Sequence, residues 1–141
     1  MPAFIDVTII HAWSAEPSYV AVDDMLHSNQ GVPIRNFGLP WYDPAIPPGS
    51  EAGTAILRNL LEGQVSAAQV VIAIPNLYGD AKSRKWIDIQ FAAAQAKPIV
   101  VVTDEAGAIP QWLAERAREI VAFDAPALLA AIQRLAAQAR P

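Results

Sequence analysis

Near the middle of the chain stands the run Val70-Val71-Ile72-Ala73-Ile74, five consecutive apolar residues that are mostly β-branched. An apolar run without polar alternation is typical of an interior strand of a parallel sheet, which helices cover on both faces. Two other segments have the same character, Val7-Thr8-Ile9-Ile10 and Ile99-Val100-Val101-Val102-Thr103. The sequence therefore predicts three interior parallel strands.

Weaker strands are predicted at residues 32–36 and 120–123, and between the strands apolar residues recur at helical spacing. Ser50 is the expected N-cap of the second helix, Pro110 begins the fourth, and Asp124 begins the fifth with Pro126 in its first turn. The five predicted helices carry these apolar residues: Tyr19, Val22 and Leu26; Ile56, Leu57, Leu60, Leu61 and Val65; Ile87, Phe91 and Ala94; Trp112, Leu113 and Ala117; Leu128, Leu129, Ile132 and Leu135.

Strands and helices thus alternate along the chain. Crossovers of a few tens of residues between strands require right-handed βαβ units and a parallel sheet. Five strands suit the flavodoxin-like order 2-1-3-4-5. No repeat or linker interrupts the pattern, and we expect one α/β domain over residues 1–141.

Composition excludes several classes of protein. With 53% hydrophobic and 17% charged residues the chain is not disordered. It has no cysteine and two histidines, so disulfides, thiolate sites and a classical zinc site are not expected. A net charge of −4 argues against a nucleic-acid groove. No apolar run is long enough for a membrane span and the first positive side chain is Arg35, so we expect a cytoplasmic protein without a signal peptide.

Ligands of open α/β sheets bind at the carboxyl ends of the strands, where the strand order reverses. In the order 2-1-3-4-5 that point lies between the first and third strands. The segment after the first strand, His11-Ala12-Trp13-Ser14, can stack a nucleobase or nicotinamide and bond a ribose hydroxyl. The alternative is that Trp13 fills the edge of the sheet and that backbone groups satisfy His11.

The loop after the second strand, residues 36–49, holds four of the twelve prolines. Loops of this length inside a compact domain are usually functional, and prolines lower the entropy cost of presenting Trp41 and Tyr42 to a ligand or partner. The alternative is that these aromatic rings fold back on the sheet.

After the third strand, Lys82, Arg84 and Lys85 crowd the start of the third helix, where the helix dipole disfavours cations. A bound pyrophosphate would reverse that penalty, although a solvated basic face explains the charges equally well. Trp86 and Gln90 share a helix face and Asp88 points the other way. Dinucleotide-binding, P-loop and nucleophile-elbow glycine motifs are absent, as is the acidic pair of a receiver domain.

Taken together and in order, these segments resemble a bacterial TIR-like family, the one that includes the TIR proteins of Thoeris antiphage defence. The resemblance rests on the first strand with residues 11–14, on residues 36–44, on the run at 70–74, on residues 83–87 and on Lys97-Pro98-Ile99-Val100. It covers nearly the whole chain.

The resemblance implies a TIR domain that cleaves NAD+, releases nicotinamide, and makes an ADP-ribose-derived signal for a separate effector protein. NAD+ is then a substrate, and neither a cofactor nor a metal is expected. Homo-oligomers are a further possibility, and nucleic acid and membranes are not expected partners. The substrate-binding residues implied are His11, Ala12, Trp13, Asn36, Trp41, Asp43, Asn76, Tyr78, Ser83 and Trp86.

The chain departs from the family at the catalytic position, because the family pattern Trp-Ile-x-x-Glu reads Trp86-Ile87-Asp88-Ile89-Gln90 here. Nicotinamide leaves as a neutral molecule, so the reaction needs an anion beside the ribosyl cation rather than a general acid. Gln90 keeps the shape of a glutamate without its charge. Three explanations are open: a Glu→Gln change introduced to trap ligand, a natural non-catalytic module that binds nucleotides or acts as an assembly adaptor, or another acid in the role, such as Asp80 or Asp104.

Overall fold

The fold is described from a computed structural model, which covers residues 5–10, 17–27, 34–36, 51–74, 84–103 and 109–139. Its strands are β1 (Ile5–Ile9), β2 (Ile34–Asn36), β3 (Val70–Ala73), β4 (Ile99–Val102) and β5 (Glu119–Val121). Its helices are α1 (Pro17–His27), α2 (Glu51–Ala67), α3 (Arg84–Ala93), α4 (Gln111–Arg116) and α5 (Ala125–Ala139).

The five strands form one sheet in the order β2-β1-β3-β4-β5, and every neighbouring pair is parallel. Thr8 of β1 lies beside Val71 of β3, which lies beside Ile99 of β4. The predicted α/β class, strand order and flavodoxin-like architecture are confirmed.

Helices cover both faces of the sheet, which explains why the interior strands lack polar alternation. Val70 and Ile72 of β3 pack with residues of α1 and α5, whereas Val71 and Ala73 pack with residues of α2, α3 and α4. All four side chains of β3 are therefore buried. The edge strands β2 and β5 are only half covered and carry charged residues.

Two apolar residues of the predicted helices are exposed. Leu60 of α2 is 46% exposed and Trp112 of α4 is 41% exposed. In α2 the side chains of Leu61 and Val65 point to the core, and Leu60 lies about 100° away around the helix axis. Among the described side chains of α2, the predicted apolar set is therefore only partly buried.

Asp124 caps α5, as its place at the start of the predicted helix suggested. Its Oδ2 accepts the backbone N–H of Ala127 at 3.1 Å, and its carbonyl accepts that of Leu128 at 3.0 Å. Within the ranges given above, no helix combines the length and the apolar character needed to cross a membrane.

Candidate functional site

The point where the strand order reverses lies between β1 and β3. After β1 the chain proceeds to α1 on one face of the sheet, and after β3 it proceeds to α3 on the other face. Ile10, immediately after β1, donates its N–H to the carbonyl of Ile72 at 2.9 Å and is fully buried, as is Ile74 after β3. Ile10 belongs to the apolar cluster on the α2–α4 face of the sheet, and Ile74 belongs to the cluster on the α1–α5 face.

Gln90 lies on α3 with its side chain fully buried. Its helix neighbours Ile87 and Phe91 belong to the apolar cluster that joins α2, α3 and α4 to β3 and β4. Ile89, on the far side of the helix from Ile87, is also buried, and α3 packs against α2. Gln90 therefore lies in a water-poor layer of the α2–α3 side.

Asp88 is exposed, as its position about 200° around the helix from Gln90 predicts. It does not share the buried environment of position 90.

Asn36, a predicted substrate-binding residue, points to the α1 side of the sheet. Its Nδ2 donates to Asp23 Oδ1 of α1 at 2.9 Å, and its strand neighbour is Val7, whose side chain packs in the α1–α5 cluster. His27 Nδ1 lies 2.8 Å from the Asp23 carbonyl oxygen. The structure thus places the side chains of Asn36 and Gln90 on opposite faces of the sheet.

Most of the other predicted site residues fall outside the described part of the chain. Trp86 belongs to the first turn of α3, but its side chain is not among those described. The predicted residues that lie wholly outside the described ranges are His11, Ala12, Trp13, Trp41, Asp43, Asn76, Tyr78 and Ser83, together with the alternative acids Asp80 and Asp104.

A support for α3 was missed by sequence reasoning. Arg116 of α4 donates Nη2 to the carbonyl of Phe91 at 3.1 Å, and its guanidinium carbon lies 5.3 Å from the centroid of the Phe91 ring. Trp112 meets the same ring edge-on, with centroids 5.2 Å apart. These contacts hold the last turn of α3, next to Gln90. No local sequence pattern predicts these contacts, because Phe91 and Arg116 are 25 positions apart.

Among the side chains whose burial is described, the buried polar ones are Thr8 and Gln90, and every Asp, Glu, Lys and Arg is half-buried or exposed. Among these same residues, no three His, Asp or Glu side chains are grouped as a metal ion would require.

Comparison with known proteins supports the fold. No protein-family model matches the chain, and no curated protein is detectably similar to it. Among solved structures, it resembles the crystal structure of a pilus assembly-related protein from Burkholderia pseudomallei K96243, with a TM-score of 0.52 and 16% identity. The match covers 97% of this chain and 92% of that one. At this identity the likeness shows the fold alone.

Proposed function

We propose that this chain is a TIR-like domain that binds NAD+ or an ADP-ribose-derived nucleotide at the carboxyl edge between β1 and β3. The observation that carries the proposal is Gln90, a buried amide on α3, the helix that follows β3. The resemblance of residues 86–90 to the family's catalytic pattern assigns to this position the group that faces the scissile ribosyl bond.

The chemistry of the proposed reaction depends on charge at position 90. Cleavage of NAD+ breaks the bond between the ribose and nicotinamide, and positive charge moves from the pyridinium ring to the ribose carbon. A carboxylate stabilises that charge strongly in a water-poor site, whereas an amide contributes only a dipole. With Gln90 in place, the domain holds the nucleotide and cleaves it slowly or not at all.

In the proposed setting, a form with glutamate at position 90 releases nicotinamide and passes an ADP-ribose-derived signal to a separate effector, as in Thoeris-type antiphage defence. The form with Gln90 is then the same cytoplasmic domain, which binds the nucleotide and does not go on to cleave it. The support for this setting is the family resemblance together with the confirmed strand order.

The test is the substitution Gln90→Glu. We expect nicotinamide release from saturating NAD+ to rise by about 10²-fold or more, the usual effect of one preorganised electrostatic contact. Nicotinamide and ADP-ribose products are separated by HPLC. Asp88→Asn, made in the Gln90→Glu background, is the matched control and leaves the rate nearly unchanged, because Asp88 is exposed.

Two outcomes count against this mechanism. Equal and undetectable turnover by the folded parent protein and the folded Gln90→Glu variant argues for a non-catalytic module. Rapid turnover by the parent protein shows that another acid supplies the charge, and Asp80 and Asp104 are then the next residues to substitute. Circular dichroism of each variant establishes that the comparison is made between folded proteins.

An assembly or adaptor module is the second candidate, favoured by the neutral and fully buried state of Gln90. If Gln90 has only a packing role, its side chain does not need to contact a ligand. Sedimentation with and without NAD+ separates the two functions. Oligomers that persist without nucleotide, combined with no detectable nucleotide binding, favour the adaptor.

A further inference from the structure

Strand β5 is the last strand of the sheet in the described part of the chain, and its outer edge has an apolar centre. The carbonyl of Val121 accepts the N–H of Thr103, which follows β4, so the backbone groups of Val121 face β4. Successive residues of a strand direct these groups to alternate sides, and the N–H and C=O of Ile120 therefore point away from the sheet. The side chain of Ile120 is 45% exposed. The middle of β5 thus presents two hydrogen-bonding groups and an apolar side chain to the outside.

The opposite edge of the sheet is built differently. The middle residue of β2 is Arg35, which is exposed and bound to Asp6 of β1. A charged side chain on an edge strand is a common device against pairing with another chain. The middle residue of β5 is an isoleucine, and at three residues the strand is long enough for only a few hydrogen bonds to a further strand. Of the two edges, β5 is therefore the one suited to a small intermolecular contact.

The charges around Ile120 suit a second copy of the same chain. The chain has a net charge of −4, so two copies repel each other on average. Around Ile120, however, Arg118 and Arg134 balance Glu119 and Asp124, and Arg134 is bound to Glu119. In an antiparallel pairing of two β5 strands centred on Ile120, the exposed Arg118 of each copy lies diagonally across from the exposed Asp124 of the other. The same pairing thus brings opposite charges together twice.

We propose that the β5 edge is a homodimer interface, in which the β5 strands of two copies pair antiparallel about a two-fold axis between their Ile120 residues. The two Ile120 residues exchange N–H···O=C hydrogen bonds and join the two sheets into one. Their side chains lie next to each other on the face that α4 covers, because Ile120 is the strand neighbour of Val101, which packs with Leu113 of α4. The inference is independent of the proposed nucleotide site, since β4 separates β5 from β3.

The chain has no cysteine, and this allows a direct test by crosslinking. The two-fold contact places position 120 against itself with Cα atoms about 5.5 Å apart, a separation that a disulfide can bridge. We expect Ile120→Cys to form disulfide-linked dimers under mild oxidation about tenfold faster or more than Leu60→Cys, because the contact raises the effective concentration of the second thiol. Leu60 is the matched control, since it is 46% exposed and lies on α2. Non-reducing gel electrophoresis follows both reactions over time.

Sedimentation velocity over a range of protein concentrations measures the dimer without a crosslink. We expect Ile120→Lys to raise the dimer dissociation constant by about tenfold or more, since it removes apolar contact area and places two like charges opposite each other. Leu60→Lys adds the same charge on α2 and leaves the constant nearly unchanged. Circular dichroism establishes that both variants are folded.

Each of three results overturns the proposal. If the parent protein is monomeric at every concentration, the β5 edge does not bind a second copy. If Ile120→Cys crosslinks no faster than Leu60→Cys, the two copies do not meet at position 120. If the parent protein dimerises and Ile120→Lys leaves the dissociation constant unchanged, the copies meet through another surface. None of these results bears on nucleotide binding, so the proposed function is tested separately.

Discussion

Thr8 is buried at the centre of β1, and within the described part of the chain its Oγ1 has no hydrogen-bond partner. An unsatisfied buried hydroxyl costs about 1–3 kcal/mol. Valine has nearly the same shape and no hydroxyl. We therefore expect Thr8→Val to raise the free energy of unfolding by about 1 kcal/mol and Tm by about 3 °C.

Urea and thermal unfolding measure this effect. Thr8→Ser is the matched control, since it keeps the hydroxyl and loses the methyl group, and it lowers stability. If Thr8→Val is less stable than the parent protein, the Thr8 hydroxyl has a hydrogen-bond partner, for example an ordered water. The free-energy cost of an unsatisfied hydroxyl is then absent.

At the scale of elements, Lys97 joins the end of α2 to the turn before β4. Its Nζ donates to the carbonyl of Ser66 at 2.9 Å and to that of Ala68 at 2.7 Å. These are carbonyls at the carboxyl end of a helix, where a cation is also favoured by the helix dipole. Lys97 thereby holds α2 beside the turn that follows α3.

Lys97→Met keeps the length and the apolar stem of the side chain and removes both hydrogen bonds. We expect the free energy of unfolding to fall by about 1–2 kcal/mol, because hydrogen bonds from charged groups are among the stronger ones. The partial exposure of Lys97 keeps the loss from being larger. Arg118→Met is the control for removing an exposed cation. Equal effects of the two substitutions in urea unfolding would contradict the role given to Lys97.

At the scale of the whole molecule, ion pairs stand at both edge strands. Arg35 of β2 binds Asp6 of β1 through Nε at 2.7 Å and Nη2 at 3.1 Å, and Arg134 of α5 binds Glu119 of β5 through two nitrogens. The hydrogen bonds from Arg134 lower the pKa of the Glu119 carboxyl below its ordinary value, against an opposing effect of burial. Stability should therefore depend on pH through this pair.

The sign follows from proton linkage. Because the folded-state pKa of Glu119 is depressed, its stabilisation is complete above the unfolded-state value near 4.5 and is lost as pH falls through the lower folded-state value. We expect Glu119→Gln to lower Tm at pH 7 and to have a progressively smaller effect as the pH falls below 4.5. Differential scanning calorimetry across this pH range tests the expected change in Tm. Glu62→Gln is the control with a smaller effect, because the Glu62 carboxylate is exposed and its Oε1 lies 3.5 Å from Nε of Arg58. A Tm difference that is constant with pH would contradict this role for the pair.

Local patterns were sufficient for the architecture. The unalternating run at 70–74 predicted a strand covered on both faces, and β3 is covered on both faces. Helical spacing identified Ile87, Phe91 and Ala94 as the core face of α3, and Asp124 marked the start of α5. Periodicity and capping are properties of neighbouring residues, so they are legible in the sequence alone.

Contacts between distant residues were decided only by the tertiary structure. Asn36 turns to Asp23, Lys97 reaches the end of α2, and Arg116 holds Phe91, and none of these pairings has a local signature. For Gln90 the sequence determined that the residue is neutral, whereas the packing of α3 determined that it is buried. Burial sets the dielectric environment of a side chain, and that environment decides how strongly a charge placed at that position would act.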